Sequence, residues 1–380
     1  MSAHRGVVYC RKGGAAASQP LAVSAALSIL QRGGSFIDAG IACSAVLAVV
    51  EPSASHIGGD AFLVTHLSSK KETLAFNGSG EATHSSNADE FVNGIPFHGF
   101  KSATVPGLVS TWFAAHERYG KMSFEDILMP AITYAESGFP VNAEFVRLMQ
   151  LQMAQYPDST IFSDMGITAT VDVGDIVIQK NLALSLRAIL EGGRAAFYQG
   201  SIAQKIISAS NGWMSAEDLN QHTTRISEPL SVSFRGLTVY GQPPPSQGVI
   251  LMQELLLADK VNLSRYSTVE DAFIAAFYNH HFLNVHYPLL NSMSPTNRIH
   301  FMVEAKKKAF QDRFRLLGDY EGVGAAVADI LTEAHTAEVI SEIDMRKASN
   351  TPCKEQEEGS DTTYFLIVDD EGTISLPNPV

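Results

Sequence analysis

Cysteine is scarce in these 380 residues: Cys10, Cys43 and Cys353 lie far apart and form neither a disulfide framework nor a metal-type or redox pair. Such sparse, odd usage suits a reducing compartment, where thiols stay free. Basic charge is also short, with 27 Lys and Arg against 40 Asp and Glu, a formal net charge of −13. A surface of that sign repels phosphate, so no nucleic-acid partner is expected. Charged residues of all kinds make up only 18% of the chain and apolar ones 45%, which excludes a disordered polymer and implies a large core. Long hydrophobic runs are missing. The most apolar early stretch, "DAGIACSAVLAVVE", falls short of the roughly 20 residues that cross a bilayer. The N-terminus, "MSAHRGVVYCRKGG", has no apolar signal-peptide segment. A cytoplasmic protein without a membrane partner is the expectation, and the length allows one large domain or two ordinary ones.

What is present is punctuated clearly. "SQPLAVSAALSILQRGG" predicts a helix with Ser18 as its cap, Pro20 in the first turn and Gly33–Gly34 as the stop. A second helix, Asp38 to about Val50, is apolar on nearly every face and should lie between layers. Strands follow at about 61–67 and 72–76, paired as a hairpin with "SSKK" at the turn. The middle is helical: about 107–119, 123–137, 143–154, 181–191 and 201–209, with a short helix in "MSAEDLNQH". "EPLSVSFRGLTVYGQ" reads as two short strands around Arg235–Gly236, and "RIHFMVEAKKKAFQDRFRLLGD" as a long amphipathic helix. Strands at both sequence ends with helices between fit an α+β layered fold better than a doubly wound sheet. The stretch 272–297 has no clean period and reads as an atypical insert, an added loop or a translated stretch not ordinarily coding. Its neighbourhood holds His280, His281, His286 and His300, but no His/carboxylate pair repeats at a ligand spacing, so no metal site is expected.

Taken singly, the motifs are weak. Gly58 and Gly59 in "SHIGGDAFLV" permit a tight turn and close backbone approach, without the spacing of a nucleotide-binding loop. "QPPPSQGVI", with Ser246 and Gly248, is a rigid approach to a helix start that could face an anion, or simply a packing device. Asp312 and Arg313 could form a buried pair, but a solvated face is the ordinary outcome. Thr362 and Thr363, in "EEGSDTTYFLIVDD", open a strand, for which Thr is well suited.

In their order, these pieces resemble the gamma-glutamyltransferase (gamma-glutamyltranspeptidase) family. "LAVSAALSILQRGGSFIDAGIACSAVLAVVEPSASHIGGDAF" is similar to the family's opening, GGNAxDAA, an apolar helix and P-x-x-S-G-I-G-G. "ATVPGLVSTWFAAHERYGKMSFEDILMPAITYAESGFPV", "FRGLTVYGQPPPSQGVILMQELL" and "RIHFMVEAKKKAFQDRFRLLGD" resemble its next three blocks, and "GSDTTYFLIVDDEGT" its cleavage junction. The resemblance runs from about residue 5 to 373. It implies an N-terminal nucleophile hydrolase with an αββα four-layer sandwich, whose precursor cleaves itself between Asp361 and Thr362. Residues 1–361 would be the large-subunit-like region and 362–380 the start of the small-subunit-like one.

By the same resemblance, Thr362 would be the nucleophile and, through its freed amine, the base. The substrate would be a gamma-glutamyl amide such as glutathione, with water or an amino acid as acceptor and no cofactor or metal. Gly58, Gly59, Ser79, Glu81, Ser246, Gly248 and Thr363 would line the substrate site. The pattern departs at three points. Nineteen residues run from Thr362 to Val380, so the C-terminal part is expected to be truncated, or supplied by a second chain or subunit. Loss of oxyanion donors with that region would cost about 10²–10³-fold each. Glu81 stands where relatives have an arginine that anchors a carboxylate, and 272–297 lengthens a short connection. The alternatives are therefore a truncated inactive homologue, or an amide acylase of the same family.

Overall fold

The computed structural model describes residues 9–96, 98–260, 295–318, 320–350 and 362–379. The chain forms two compact units, one of residues 1–227 with 359–380, the other of residues 228–358.

The first unit is built on a six-stranded antiparallel sheet. Its strands are β1 (Gly14–Ala16), β2 (Ala61–Leu67), β3 (Glu72–Gly78), β6 (Arg225–Ser227), β9 (Leu366–Val368) and β10 (Ile374–Pro379), in the order β1-β9-β10-β2-β3-β6. The β2–β3 hairpin turns through Ser68–Lys71, as the sequence suggests, and β3 runs on to Gly78. Along β2 alternate residues are buried: Ala61, Leu63 and Thr65 face the helices, while Phe62 and Val64 stay half-buried on the opposite face.

Helices α1 (Pro20–Gln31) and α2 (Phe36–Val50) pack together, and α2 is buried at every position. Nothing along α2 is charged except Asp38, so it can lie between the sheet and α4 (Phe124–Ser137). It begins two residues earlier than expected because Ser35 and Asp38 form a capping box. The second carboxylate duty of Asp38 is to accept from the Lys121 and Met122 backbone N–H groups at 3.0 and 3.1 Å. α3 (Leu108–Tyr119) lies beside α2, joined to it by the Trp112 Nε1–Ser44 Oγ hydrogen bond of 3.0 Å. Further out come α5 (Ala143–Gln155), α6 (Ile161–Asp164), α7 (Lys180–Tyr198), α8 (Ser201–Ala209) and α9 (Ala216–Gln221), with the small β4 (Phe139–Pro140) and β5 (Ile176–Val177) pair. α7 continues well past residue 191 because Gly193, at φ 62°, absorbs a kink.

One capping expectation is overturned. Gln19, not Ser18, caps α1: its side chain accepts from the Leu21 N–H at 2.8 Å.

The second unit carries the hairpin β7 (Leu230–Phe234) and β8 (Leu237–Gly241), turning at Arg235–Gly236, both with positive φ. Helices α10 (Gly248–Lys260), α11 (Pro295–Leu316), α12 (Tyr320–Ile330) and α13 (Glu333–Ser341) share apolar contacts such as Leu257 with Phe301, Ala305 and Val339. Asp312 is buried rather than solvated, and its partner is not Arg313. It accepts from Gln253 at 2.6 Å, pairs with His335 at 2.7 Å and takes Arg315 at 2.9 Å, while the Arg313 guanidinium lies over the Phe314 ring. Most of the 272–297 insert, with His280, His281 and His286, lies outside the described residues. Residues 295–297 start α11, and His300 contacts the Asp344 carbonyl at 2.8 Å.

Candidate active site

The sheet register brings separate stretches of sequence to one end. Ala16 pairs with Leu366, Pro379 with Ala61, Ala61 with Gly78, and Asn77 with Arg225. That end therefore collects the exit of β1 with Ser18, the Thr362–Phe365 approach to β9, the Gly58–Asp60 approach to β2, the Ser79–Glu81 exit of β3, and Arg225. Five of the expected substrate-site residues, Gly58, Gly59, Ser79, Glu81 and Thr363, lie at that end of the sheet, as does the expected nucleophile Thr362. Ser246 and Gly248 belong to the other unit, where Ser246 Oγ accepts from the Gly248 N–H at 3.3 Å. Asp361 lies outside the described residues.

The loops at this end are pressed together. The Gly59 carbonyl accepts from the Gly107 and Leu108 N–H groups at 3.0 and 2.9 Å, so it anchors the free donors at the start of α3. A Cβ on Gly80 would stand 1.6 Å from the Val105 carbonyl oxygen, and one on Gly107 would stand 1.7 Å from that of Gly78. Only glycine fits these two crossings. Asn77 Oδ1 holds the Ser79 N–H at 2.9 Å, and the Glu81 carbonyl holds the Val105 N–H at 3.1 Å. The Glu81 side chain pairs with Arg225 at 2.7 Å, so the acidic residue at this point brings a guanidinium with it from β6.

Asp60 was not singled out by the sequence, though it directly follows the glycine pair. Its carboxyl draws on Gly80, Ser79, Gly107 and Thr104 as donors, yet burial outweighs them and lifts its pKa from 3.8 to about 6. Behind it, the Tyr198 hydroxyl donates to the Pro106 carbonyl at 2.8 Å and accepts from the Ser110 N–H at 3.0 Å. His222 is buried beside Gly107, and burial together with the Arg194 charge pushes its pKa down to about 4.

At the other side of the sheet end, Thr363 is buried and Thr362 is exposed. Thr363 Oγ1 donates to Glu51 Oε2 at 3.1 Å; Ser18 Oγ donates to the same oxygen at 2.6 Å, and the two hydroxyls stand 3.0 Å apart. The reading of Ser18 as a helix cap misses this contact, because it joins residues 33 and 345 positions apart.

The family model for gamma-glutamyltranspeptidase matches residues 22–375 of this sequence. The chain belongs to the gamma-glutamyltranspeptidase family. It is 34% identical over 362 residues to the glutathione hydrolase-like YwrD proenzyme of Bacillus subtilis, an alignment covering 93% of this chain and 63% of that protein. It is 28% identical to a glutathione hydrolase proenzyme of a Pseudomonas species, over 98% of this chain and 63% of that one. The chain thus spans a little under two thirds of the length of these curated relatives. Among solved structures, cephalosporin acylase from Bacillus halodurans superposes with a TM-score of 0.80 at 26% identity, over 100% of this chain and 67% of that chain. The gamma-glutamyltranspeptidase from Pseudomonas nitroreducens complexed with L-DON gives 0.75 at 26% identity, over 93% and 99%. The mixed helix and sheet architecture of this family is the one described above.

Proposed function

We propose that this transpeptidase-family chain is the precursor of an N-terminal nucleophile hydrolase that cleaves or transfers gamma-glutamyl groups, with Thr362 as the nucleophile. The observation that carries the reading is the place of the Thr362–Thr363 junction, at the sheet end where the Gly59, Ser79 and Glu81 loops gather. The αββα sandwich fits too. Helices cover one face of the sheet, and Phe62, Val64, Leu366 and Val368 on the other are only half-buried, as a second sheet would require.

The residue type follows from the chemistry. A threonine hydroxyl is a poor nucleophile until a base stands beside it. In the intact chain the Thr362 nitrogen is an amide and takes no proton. Hydrolysis of the bond ahead of it consumes one water, leaves a carboxylate on residue 361 and frees the Thr362 amine. That amine takes the hydroxyl proton as Oγ1 attacks the substrate carbonyl. The departing amine of the substrate receives the proton, and the acyl ester is then released to water or to the amine of an amino acid. Glutathione is the expected donor, and no cofactor enters the scheme.

A second reading has its own support. The Glu81–Arg225 pair neutralises the guanidinium that would otherwise attract a substrate carboxylate. An acyl group without that carboxylate would suit the site, making the protein an amide acylase like the cephalosporin acylase it resembles. The two readings separate by turnover of a gamma-glutamyl anilide against an uncharged acyl anilide by the mature full-length protein. The first predicts preference for the glutamyl compound and at least a 10³-fold loss in Thr362→Ala. Equal turnover by that variant would remove Thr362 from the mechanism.

A further inference from the structure

Two local rules are broken at one place in the fold. Glu51 is the residue that ends α2, where its charge meets the negative end of the helix dipole, an unfavourable position for a carboxylate. Ser18, a better capping residue than glutamine, stands one position away from the α1 cap and leaves that role to Gln19. Both departures converge on Thr363, which neighbours the expected nucleophile. Conflicts between local preference and structure collect where function demands them.

We propose that Glu51 and Ser18 are positioning residues for the nucleophile: they hold the Thr363 hydroxyl, and through it fix the backbone of Thr362 for both maturation and turnover. This deepens the N-terminal nucleophile reading and rests on it. The three oxygens form a closed triangle with edges of 2.6, 3.0 and 3.1 Å. A carboxylate oxygen can only accept, so it sets the direction of both O–H bonds. The contact ties three elements together: the β1–α1 connection, the end of α2 and the approach to β9. Thr363 is 3% exposed, so its hydroxyl has no water to fall back on, and hydrogen bonds to a charged group are the stronger kind. After cleavage, Thr362 becomes a chain end bonded covalently to Thr363. A chain end frays unless tied down, and the anchor on Thr363 supplies such a tie.

The test uses the full-length protein. Thr363→Val keeps the shape and removes the hydroxyl, Thr363→Ser keeps the hydroxyl, and Glu51→Gln and Ser18→Ala remove its partners. Cleavage ahead of Thr362, followed by intact mass, should slow about tenfold or more in Thr363→Val and Glu51→Gln, less in Ser18→Ala, and recover in Thr363→Ser. In the mature protein the same series should lower kcat with KM little changed. Backbone amide exchange over residues 362–365, measured in a Thr362→Ala background, should rise about tenfold in Thr363→Val and Glu51→Gln but not in Thr363→Ser. Unchanged exchange, or Thr363→Val cleaving at the parental rate, overturns the proposal. If the parental protein never cleaves, the nucleophile reading falls, and the exchange data still decide whether Glu51 and Ser18 hold this segment.

Discussion

Asp60 and His222 hold opposite protonation preferences behind the same loops. Asp60 has a folded pKa raised from 3.8 to about 6, so the fold binds its proton more tightly than the unfolded chain does. Stability from this group is complete below about 3.8 and is lost as pH rises through about 6. His222 is the reverse. Its pKa falls from 6.5 to about 4, so it favours the fold above 6.5 and withdraws that support as pH drops through 4. Over the shared window the two slopes oppose each other. Asp60→Asn should leave the His222 slope uncovered, and the thermal midpoint should then fall with acidification between pH 6.5 and 4 by the equivalent of roughly 2 kcal/mol more than in the parent. His222→Gln should tilt the curve the other way. Calorimetric melts across that window check both, and parallel curves for all three proteins would refute the assignment.

At the scale of elements, Asp38 is the joint between α2 and the α3–α4 turn. It caps its own helix through the Ser35 N–H at 2.8 Å and also takes two backbone donors from residues 121 and 122. Asp38→Ala would strand buried N–H groups on both elements, and chemical denaturation should show a loss of about 3 kcal/mol. A loss below about 1 kcal/mol would mean the turn finds other acceptors. The helix itself was readable, because fifteen residues with one charge cannot face water, and so was the β2–β3 hairpin with its polar turn. The three-residue strands β1 and β6 were not readable, being too short for a period and paired to partners as distant as Leu366. The site divides along the same line. Thr362, Gly59 and Glu81 sit in motifs that a resemblance can mark. Asp60, Glu51 and the true partner of Ser18 become visible only when residues far apart in sequence stand within hydrogen-bond distance.

At the scale of the whole molecule, the strands that follow Thr362 are woven into the sheet. β9 pairs with β1, and β10 pairs with β2 over six registered residues, so a cut ahead of Thr362 severs one bond but no ladder. Both pieces are expected to remain together without a covalent link, since the paired strands and the core beneath β9 hold them. Among the described residues no helix is long and apolar enough to cross a membrane, and the account needs none. The most direct test is intact mass of the full-length protein after prolonged incubation, taken under denaturing and then native conditions. Two pieces on denaturation, one beginning at Thr362, and a single complex of their summed mass in the native spectrum, is the predicted result. An uncut chain, or a cut at any other bond, would contradict the central claim that Thr362 is the nucleophile this fold is built to release.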